Sequence, residues 1–130
     1  DGGFVWTADG STDSELKGHG HNADIDSKGR IVVGNDDTGR VIYLNPEGKV
    51  VDAFSADACS VTIDPADNLY SAGCGSDTIN VFDPAHKLIG SWSGPDMPMI
   101  VPPEFGPNGE ILALDRDGGI VKVRVTLPPV

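Results

Sequence analysis

Two pairs of side chains near the start of this sequence have the chemistry of metal ligands. His19 and His21 form an H-x-H pair, followed at once by Asn22, and Asp36 is followed by a second aspartate. Alternate side chains of an extended segment point the same way, so the two imidazoles can face one ion. Imidazole and carboxylate both bind zinc, and carboxylates also bind calcium. His19, His21 and Asp36 are therefore the predicted metal ligands, and the competing interpretation is a pair of exposed loop histidines.

The two cysteines, Cys59 and Cys74, form no C-x-x-C, which excludes a zinc ribbon or a thioredoxin motif. A turn at residues 65–68 would pair residues whose numbers sum to 133, placing Ile63 opposite Tyr70 and Cys59 opposite Cys74. Directly opposed cysteines on adjacent antiparallel strands are close enough to bridge. The pattern predicts a disulfide, and with it an extracellular or periplasmic location. The alternatives are two free buried thiols, or a role of the cysteines as metal ligands or as a nucleophile.

A further group of polar residues lies near the end of the chain. Asp115 and Asp117 offer hard oxygen ligands in a D-x-D-G pattern, which is also common in turns. Arg116 between them is the predicted contact for an anionic substrate, as Asn22 is the predicted polar contact at the other end. The sequence has no G-x-S-x-G, P-loop or H-E-x-x-H motif.

The charge of the chain limits its partners. The 130 residues carry a formal net charge of -11, and the sequence pI is about 4.3. Such a chain repels phosphate backbones, so nucleic acid is excluded as a partner. No apolar run approaches the roughly 18 residues of a membrane span. The 17 glycines and 10 prolines are typical of short strands joined by tight turns.

The elements that must position these residues repeat along the chain. Residues 19–54 align without a gap on residues 57–92, at an offset of 38 (57 minus 19), with Asp26 on Asp64 and Pro46 on Pro84. A third copy follows an insertion around residues 98–103. A partial copy precedes the first, in which residues 3–7 match residues 29–33.

Each unit contains four short strand signals, in the first unit at roughly residues 22–26, 30–34, 40–44 and 49–54. Four antiparallel strands in about 40 residues, repeated, predict β-propeller blades in an all-β fold. The predicted division is a partial blade at 1–17 and blades at 18–54, 55–92 and 93–130. Propellers need about four to eight blades to close, so the predicted partner is the rest of the ring, from a longer polypeptide or from other copies.

Propeller geometry predicts where functional groups gather. The loop entering the innermost strand and the loop between the second and third strands lie on one face, which we call the upper rim. In the first unit these loops contain His19, His21, Asn22 and the Asp36 region. In the second they contain Cys59 and Cys74, and in the third Arg116.

The pattern D-x-x-G followed by three apolar residues, and then R-h-h-x-h-D/N-P (h, apolar), resembles the NHL-repeat and gluconolactonase (senescence marker protein) families. The segment NADIDSKGRIVVGNDDTGRVIYLNPEGKV is most similar to the gluconolactonase family, and residues 60–92 to NHL repeats. The resemblance implies a six-bladed propeller. In the gluconolactonase family, Asn or Asp side chains before the inner strand hold a divalent cation. The matching positions here are His21, Cys59 and Val101, of which His21 is an obvious ligand. Peptidylamidoglycolate lyases of the same fold use histidines for zinc.

Together these features predict a secreted or periplasmic β-propeller that serves as a binding or scaffold module for a protein or small-molecule ligand, with calcium or zinc as the candidate cation. The alternative is a metal-dependent hydrolase or lyase of gluconolactonase-like type, acting on a lactone or small ester. In that mechanism the cation polarises the substrate carbonyl and activates water.

Overall fold

The computed structural model describes residues 2–74, 78–93, 104–105, 110–114 and 120–124. The predicted all-β propeller fold is confirmed: eleven strands form two four-stranded antiparallel sheets and one three-stranded sheet over the described residues. The strands are β1 (Gly20–Ile25), β2 (Ile31–Asn35), β3 (Arg40–Leu44), β4 (Val50–Ser55), β5 (Ser60–Ile63), β6 (Leu69–Ala72), β7 (Thr78–Phe82), β8 (Leu88–Ser93), β9 (Glu104–Phe105), β10 (Glu110–Leu114) and β11 (Ile120–Arg124).

The strands of each four-stranded sheet are hydrogen-bonded in sequence order, β1-β2-β3-β4 in the first sheet and β5-β6-β7-β8 in the second. In the first sheet every strand end lies within two residues of its predicted position. The pattern predicted these ends well because Gly, Asn, Asp and Pro separate the apolar runs, and these residues favour turns over strands. The third sheet has the order β11-β10-β9.

The main apolar core lies between the first two sheets. Val32, Val41 and Tyr43 of the first sheet pack with Val61 and Leu69 of the second, and all five are at most 4% exposed. Two aromatic rings, Phe54 of β4 and Phe82 of β7, complete the cluster in an edge-to-face contact with centroids 5.1 Å apart. Burial of each of the five side chains contributes about 1.5–3 kcal/mol.

Four hairpin turns, β1–β2, β3–β4, β5–β6 and β7–β8, have the same hydrogen-bond pattern. The first residue is Asp or Asn, and its side-chain oxygen accepts hydrogen bonds from the backbone N–H groups two and four residues later. The fourth residue adopts the left-handed conformation. The first residues are Asp26, Asn45, Asp64 and Asp83, and the left-handed residues are Gly29, Gly48, Asp67 and His86.

The third of these turns corrects the predicted pairing of β5 with β6. Ile63 pairs with Leu69, not with Tyr70, so the register differs by one residue from the prediction. The cause is that Asp64 and Asn68 bracket a turn of three residues, with Asp64 N donating to Asn68 O at 3.0 Å, where the prediction assumed two. Cys59 and Cys74 are consequently not opposed on paired strands; they lie just beyond β5 and β6.

The first residues of the described chain also differ from expectation. Residues 3–7 match a strand of the repeat, but they form no strand in the structure. Trp6 instead lies on the turn between β3 and β4. Its Nε1 donates to Pro46 O at 3.1 Å, and a Cβ at Gly48 would come 2.8 Å from the indole ring. A glycine is needed there for both this close approach and its positive φ.

Candidate functional site

The structure brings His19 and Asp36 together at the upper rim. The Asp36 backbone N–H donates to the His19 carbonyl at 2.8 Å, next to the pair Gly20–Asn35 with which β1 and β2 begin and end. Both side chains are exposed. His21 lies in β1, but its side chain lies outside the described part of the structure. The three-residue metal site thus stays a prediction.

Cys59 and Cys74 form a disulfide with a Cα–Cα distance of 5.1 Å. The predicted bridge therefore exists although the predicted register was wrong, because both cysteines lie past the strand ends, where the loops converge. A carboxylate oxygen of Asp36 and the two sulfur atoms lie within 4.8 Å of one another. Bonded sulfur provides no thiolate, so in this state the cluster does not provide the ligands of a thiolate metal site.

Gly34 explains why the end of β2 comes so close to the cysteines. A Cβ at this residue would clash with the Ala58 carbonyl oxygen, and the residue is buried. Only glycine permits this approach of two backbones. The contact of Gly34 with Ala58 brings two segments of the chain together. Ala58 is followed by Cys59, and Asp36 lies two residues after Gly34, so Asp36 is positioned beside the disulfide.

Asn35, which lies between Gly34 and Asp36, connects the upper rim to the segment before β1. Its Nδ2 donates to the carbonyl oxygens of Glu15 and Lys17, both at 3.1 Å, and its side chain is buried. Arg40 reinforces the same contact through a hydrogen-bonded ion pair with Glu15 at 3.0 Å. The Glu15 carboxylate correspondingly raises the pKa of Arg40.

Asn22 and Asp24 join the first sheet to the second. The Asn22 side chain donates to Val61 O at 2.6 Å and accepts from Val61 N at 3.0 Å, while Asp24 accepts from Ile63 N at 2.8 Å. These bonds satisfy backbone groups of β5, a strand of the neighbouring sheet. The structure thus places the predicted substrate contact Asn22 in a contact between blades. The other predicted substrate contact, Arg116, lies outside the described residues, as do Val101, Asp115 and Asp117.

Two further contacts between the sheets lie at the opposite end, which we call the lower face. The Asp67 carboxylate accepts hydrogen bonds from the backbone N–H and the hydroxyl of Ser27, and these bonds lower the pKa of Asp67. His86 Nε2 lies 2.6 Å from the Asp52 carboxylate, and its ring stacks on Phe54 with centroids 4.3 Å apart.

Neither of the two lower-face contacts was predicted from the sequence. The signal was present in the repeat alignment, where Asp67 and His86 occupy the positions of Gly29 and Gly48. A side chain where the matching turn has a left-handed glycine indicates an interaction that offsets the backbone strain.

Two clefts lie away from the upper rim. One, of about 360 Å³, is between the turns of the lower face and is lined by Ile25, Asp26, Ser27, Ile63, Asp64, Pro65 and Asp67. The other, of about 430 Å³, lies against the β3–β4 turn and is lined by Thr7, Thr12, Asp13, Glu47, Gly48, Lys49 and Val50. Neither is lined by a predicted ligand or substrate contact.

Successive four-stranded meanders that pack face to face define a segment of a β-propeller. Solved structures confirm this class. The chain is similar to a streptogramin B lyase (13% identity, TM-score 0.60), covering 82% of this chain and 40% of that one. It is also similar to virginiamycin B lyase from Staphylococcus aureus (14%, TM-score 0.59), covering 82% and 41%. A protein of unknown function from Bacteroides caccae is similar at 16% identity and TM-score 0.54, covering 82% and 46%.

These similarities establish the fold and not the family. No known protein family matches the sequence, and no curated protein matches it. The chain spans less than half the length of the solved structures that it resembles. Among the described residues there is no helix with the length and apolar character to cross a membrane.

Proposed function

We propose that this chain is part of a larger β-propeller that serves as a binding or scaffold module in an oxidising compartment, secreted or periplasmic. The proposal rests on the different contacts made by β1 and by the loops at the upper rim. Asn22 and Asp24 hold the next sheet, whereas the loops of the upper rim present His19, Asp36 and Asp37 to solvent. The strands build the ring, and the rim provides the ligand contacts.

The ring requires further blades. This chain covers 40% and 41% of the two similar lyase chains. This supports a ring that is completed by further blades of a longer polypeptide or by other copies of the chain. The gluconolactonase-like and NHL-like repeat patterns support six blades in total.

The disulfide supports the proposed compartment, because intracellular reductants keep such bonds open in most organisms. Alkylation of the native protein in freshly broken cells tests this. We expect Cys59 and Cys74 to react with a maleimide only after reduction, giving a two-label mass increase. Labelling of both cysteines without reductant would contradict the proposed location.

A second candidate is the metal-dependent hydrolase or lyase. It is supported by the lyases among the similar folds, one of which is a catalytically inactive histidine-to-alanine variant solved with quinupristin. In this proposal His19, His21 and Asp36 hold calcium or zinc, which would polarise the substrate carbonyl. Arg116 would orient a lactone or small ester, whereas the Asn22 side chain is already bonded to Val61 of the second sheet.

One experiment separates the two candidates. The divalent metal content of the native protein is measured by elemental mass spectrometry before and after chelator dialysis, and quinupristin and simple lactones are then tested for turnover by mass spectrometry. The binding module predicts no turnover. Turnover that is lost in the His19→Ala/His21→Ala double variant, and retained in a Lys17→Ala control, would establish the enzyme instead.

A further inference from the structure

Reduction of the disulfide would give the cluster of Asp36, Cys59 and Cys74 at the upper rim the donor set of a zinc site. The three ligand atoms lie within 4.8 Å of one another. Cys59 is 3% exposed, whereas Cys74 and Asp36 are exposed, so the cluster is anchored on one side and open to solvent on the other. Sites with three protein ligands and an open position are typical of zinc that binds a water or another ligand.

Backbone contacts position two members of this cluster, Asp36 and Cys59, independently of the disulfide. The close approach of Gly34 to the Ala58 carbonyl fixes β2 against the start of β5, and the hydrogen bond from Asp36 N to His19 O fixes Asp36 itself. Ala58 is 1% exposed and belongs to the apolar core between the sheets. Cys59 is therefore held by a packed neighbour, and it keeps its place when the bridge opens.

We propose that reduction of the Cys59–Cys74 disulfide converts this cluster into a binding site for one Zn²⁺, with two thiolates and the Asp36 carboxylate as ligands. Zinc binds thiolate sulfur at about 2.3 Å, and a tetrahedral angle then separates two sulfurs by about 3.7 Å. The 5.1 Å between the Cα atoms allows this separation through side-chain rotation. Thiolates select zinc over calcium and magnesium, which prefer oxygen ligands.

The chemistry balances with a thiol reductant. A dithiol supplies two electrons and two protons to the disulfide and becomes a cyclic disulfide, which leaves two cysteine thiols. Zn²⁺ then displaces both thiol protons as it binds. The inference goes beyond the proposed function, because it concerns the reduced protein, whereas the binding module is the oxidised form.

The test measures metal binding by the protein in both redox states. The native protein is reduced with a phosphine, which supplies the two electrons and takes oxygen from water as its oxide, and is then desalted without air. Co²⁺ is added as a spectroscopic substitute for zinc, and Zn²⁺ affinity is measured by competition with a chromogenic chelator. We expect one Co²⁺ per chain with a thiolate-to-cobalt absorption band in the reduced protein, and no such band in the oxidised protein.

Two single substitutions of neighbouring aspartates separate a built site from adventitious thiol binding. Asp36→Asn removes the third ligand. We expect it to lower Zn²⁺ affinity by at least about tenfold, because substitution of residues that only hydrogen-bond to metal ligands already costs about tenfold or more. Asp37→Asn removes an equal charge one residue away, and affinity stays unchanged. Near-ultraviolet circular dichroism confirms that each reduced variant stays folded.

Three results would overturn the proposal. The first is a reduced protein that binds Co²⁺ no better than its Cys59→Ser/Cys74→Ser variant. The second is an equal affinity of the Asp36→Asn and Asp37→Asn variants for zinc, which is the behaviour of two thiols in an unfolded chain. The third is the same binding in the oxidised protein. None of these results bears on whether the oxidised protein is a binding module or an enzyme.

Discussion

The left-handed residues of the turns show how single side chains connect the two main sheets. Asp67 and His86 have φ values of 64° and 65°, in a region where a residue with a Cβ is strained by about 1 kcal/mol or more. Each reaches the preceding sheet, Asp67 through Ser27 and His86 through Asp52 and Phe54. The contact between sheets offsets the strain of the turn.

Asp67 gives this contact a defined pH dependence. The Ser27 hydroxyl, and then its N–H, lower the folded-state pKa of Asp67, so the contact contributes stability above the unfolded pKa of about 4 and loses it as the pH falls through the lower folded value. We expect Asp67→Asn, which tolerates the same backbone conformation, to lose less stability than the wild type between pH 5 and 3, in urea titrations. An identical acid loss in both proteins would show that the Ser27 contact does not form.

The two tyrosines give a second prediction, at alkaline pH. Burial raises the pKa of both Tyr43 and Tyr70 to about 12. Because the ordinary pKa of tyrosine is near 10, the neutral rings stabilise the fold fully below about pH 10, and this stabilisation is lost as the pH rises towards 12. Because the chain has two tyrosines, phenolate absorbance reports on them alone. We expect no ionisation near pH 10 in the native protein and two near pH 10 in urea. One native phenolate near pH 10 would place one ring in solvent.

At the scale of strands and turns, the sequence predicted the elements better than their pairing. Apolar runs and turn residues identified the four strands of the first sheet to within two residues. The register of β5 and β6 was predicted wrongly because two residues were assumed in the turn. The observed three-residue turn needs a left-handed Asp67, and its contact with Ser27 of the other sheet offsets the strain. The disulfide was predicted nonetheless, since a one-residue shift leaves Cys59 and Cys74 within bridging distance.

Asn22 provides the test of how the sheets are joined. Asn22→Ala removes both bonds to Val61, a residue with no exposed surface, and leaves a buried N–H and C=O unsatisfied. We expect a loss of about 3 kcal/mol in the free energy of unfolding, measured by urea denaturation. Asn80→Ala, which removes the 2.8 Å bond from the Ser91 hydroxyl, is the matched control and is expected to cost about 1 kcal/mol or less. Equal losses would mean that Asn22 does not couple the sheets.

At the scale of the whole molecule, the repeat was sufficient to predict the fold, because each copy carries the same strands and turns. The candidate site was less predictable. The role of His19 and Asp36 as ligands rests on residue type and stays a prediction. The role of Asn22 between blades depends on the packing of a second sheet against β1, which no single repeat encodes. Residue type suggested a ligand contact where the structure shows a contact between blades.

The acidity of the chain leads to a prediction at this scale. Twenty acidic residues against nine basic ones repel one another in the compact state. Raising the salt concentration from about 0.1 M to 1 M shortens the Debye length from about 10 Å to about 3 Å. We expect the melting temperature to rise equally in potassium chloride and in tetramethylammonium chloride. A fall would mean that ion pairs such as Arg40–Glu15 outweigh the repulsion.

Repeated units that look alike can associate in the wrong order while a chain folds, and the lower-face contacts discourage this. Asp67 is hydrogen-bonded to Ser27, and His86 to Asp52. In the repeat alignment, Pro65 and Gly90 of the second unit occupy the positions of Ser27 and Asp52. Neither proline nor glycine has a side-chain group that could take the place of the Ser27 hydroxyl or the Asp52 carboxylate. A second unit that met another second unit, in the same chain or in a neighbouring molecule, would keep the strained turns and lose the bonds that offset them. The two turns thus favour packing of the second unit against the first unit over packing against another copy of itself.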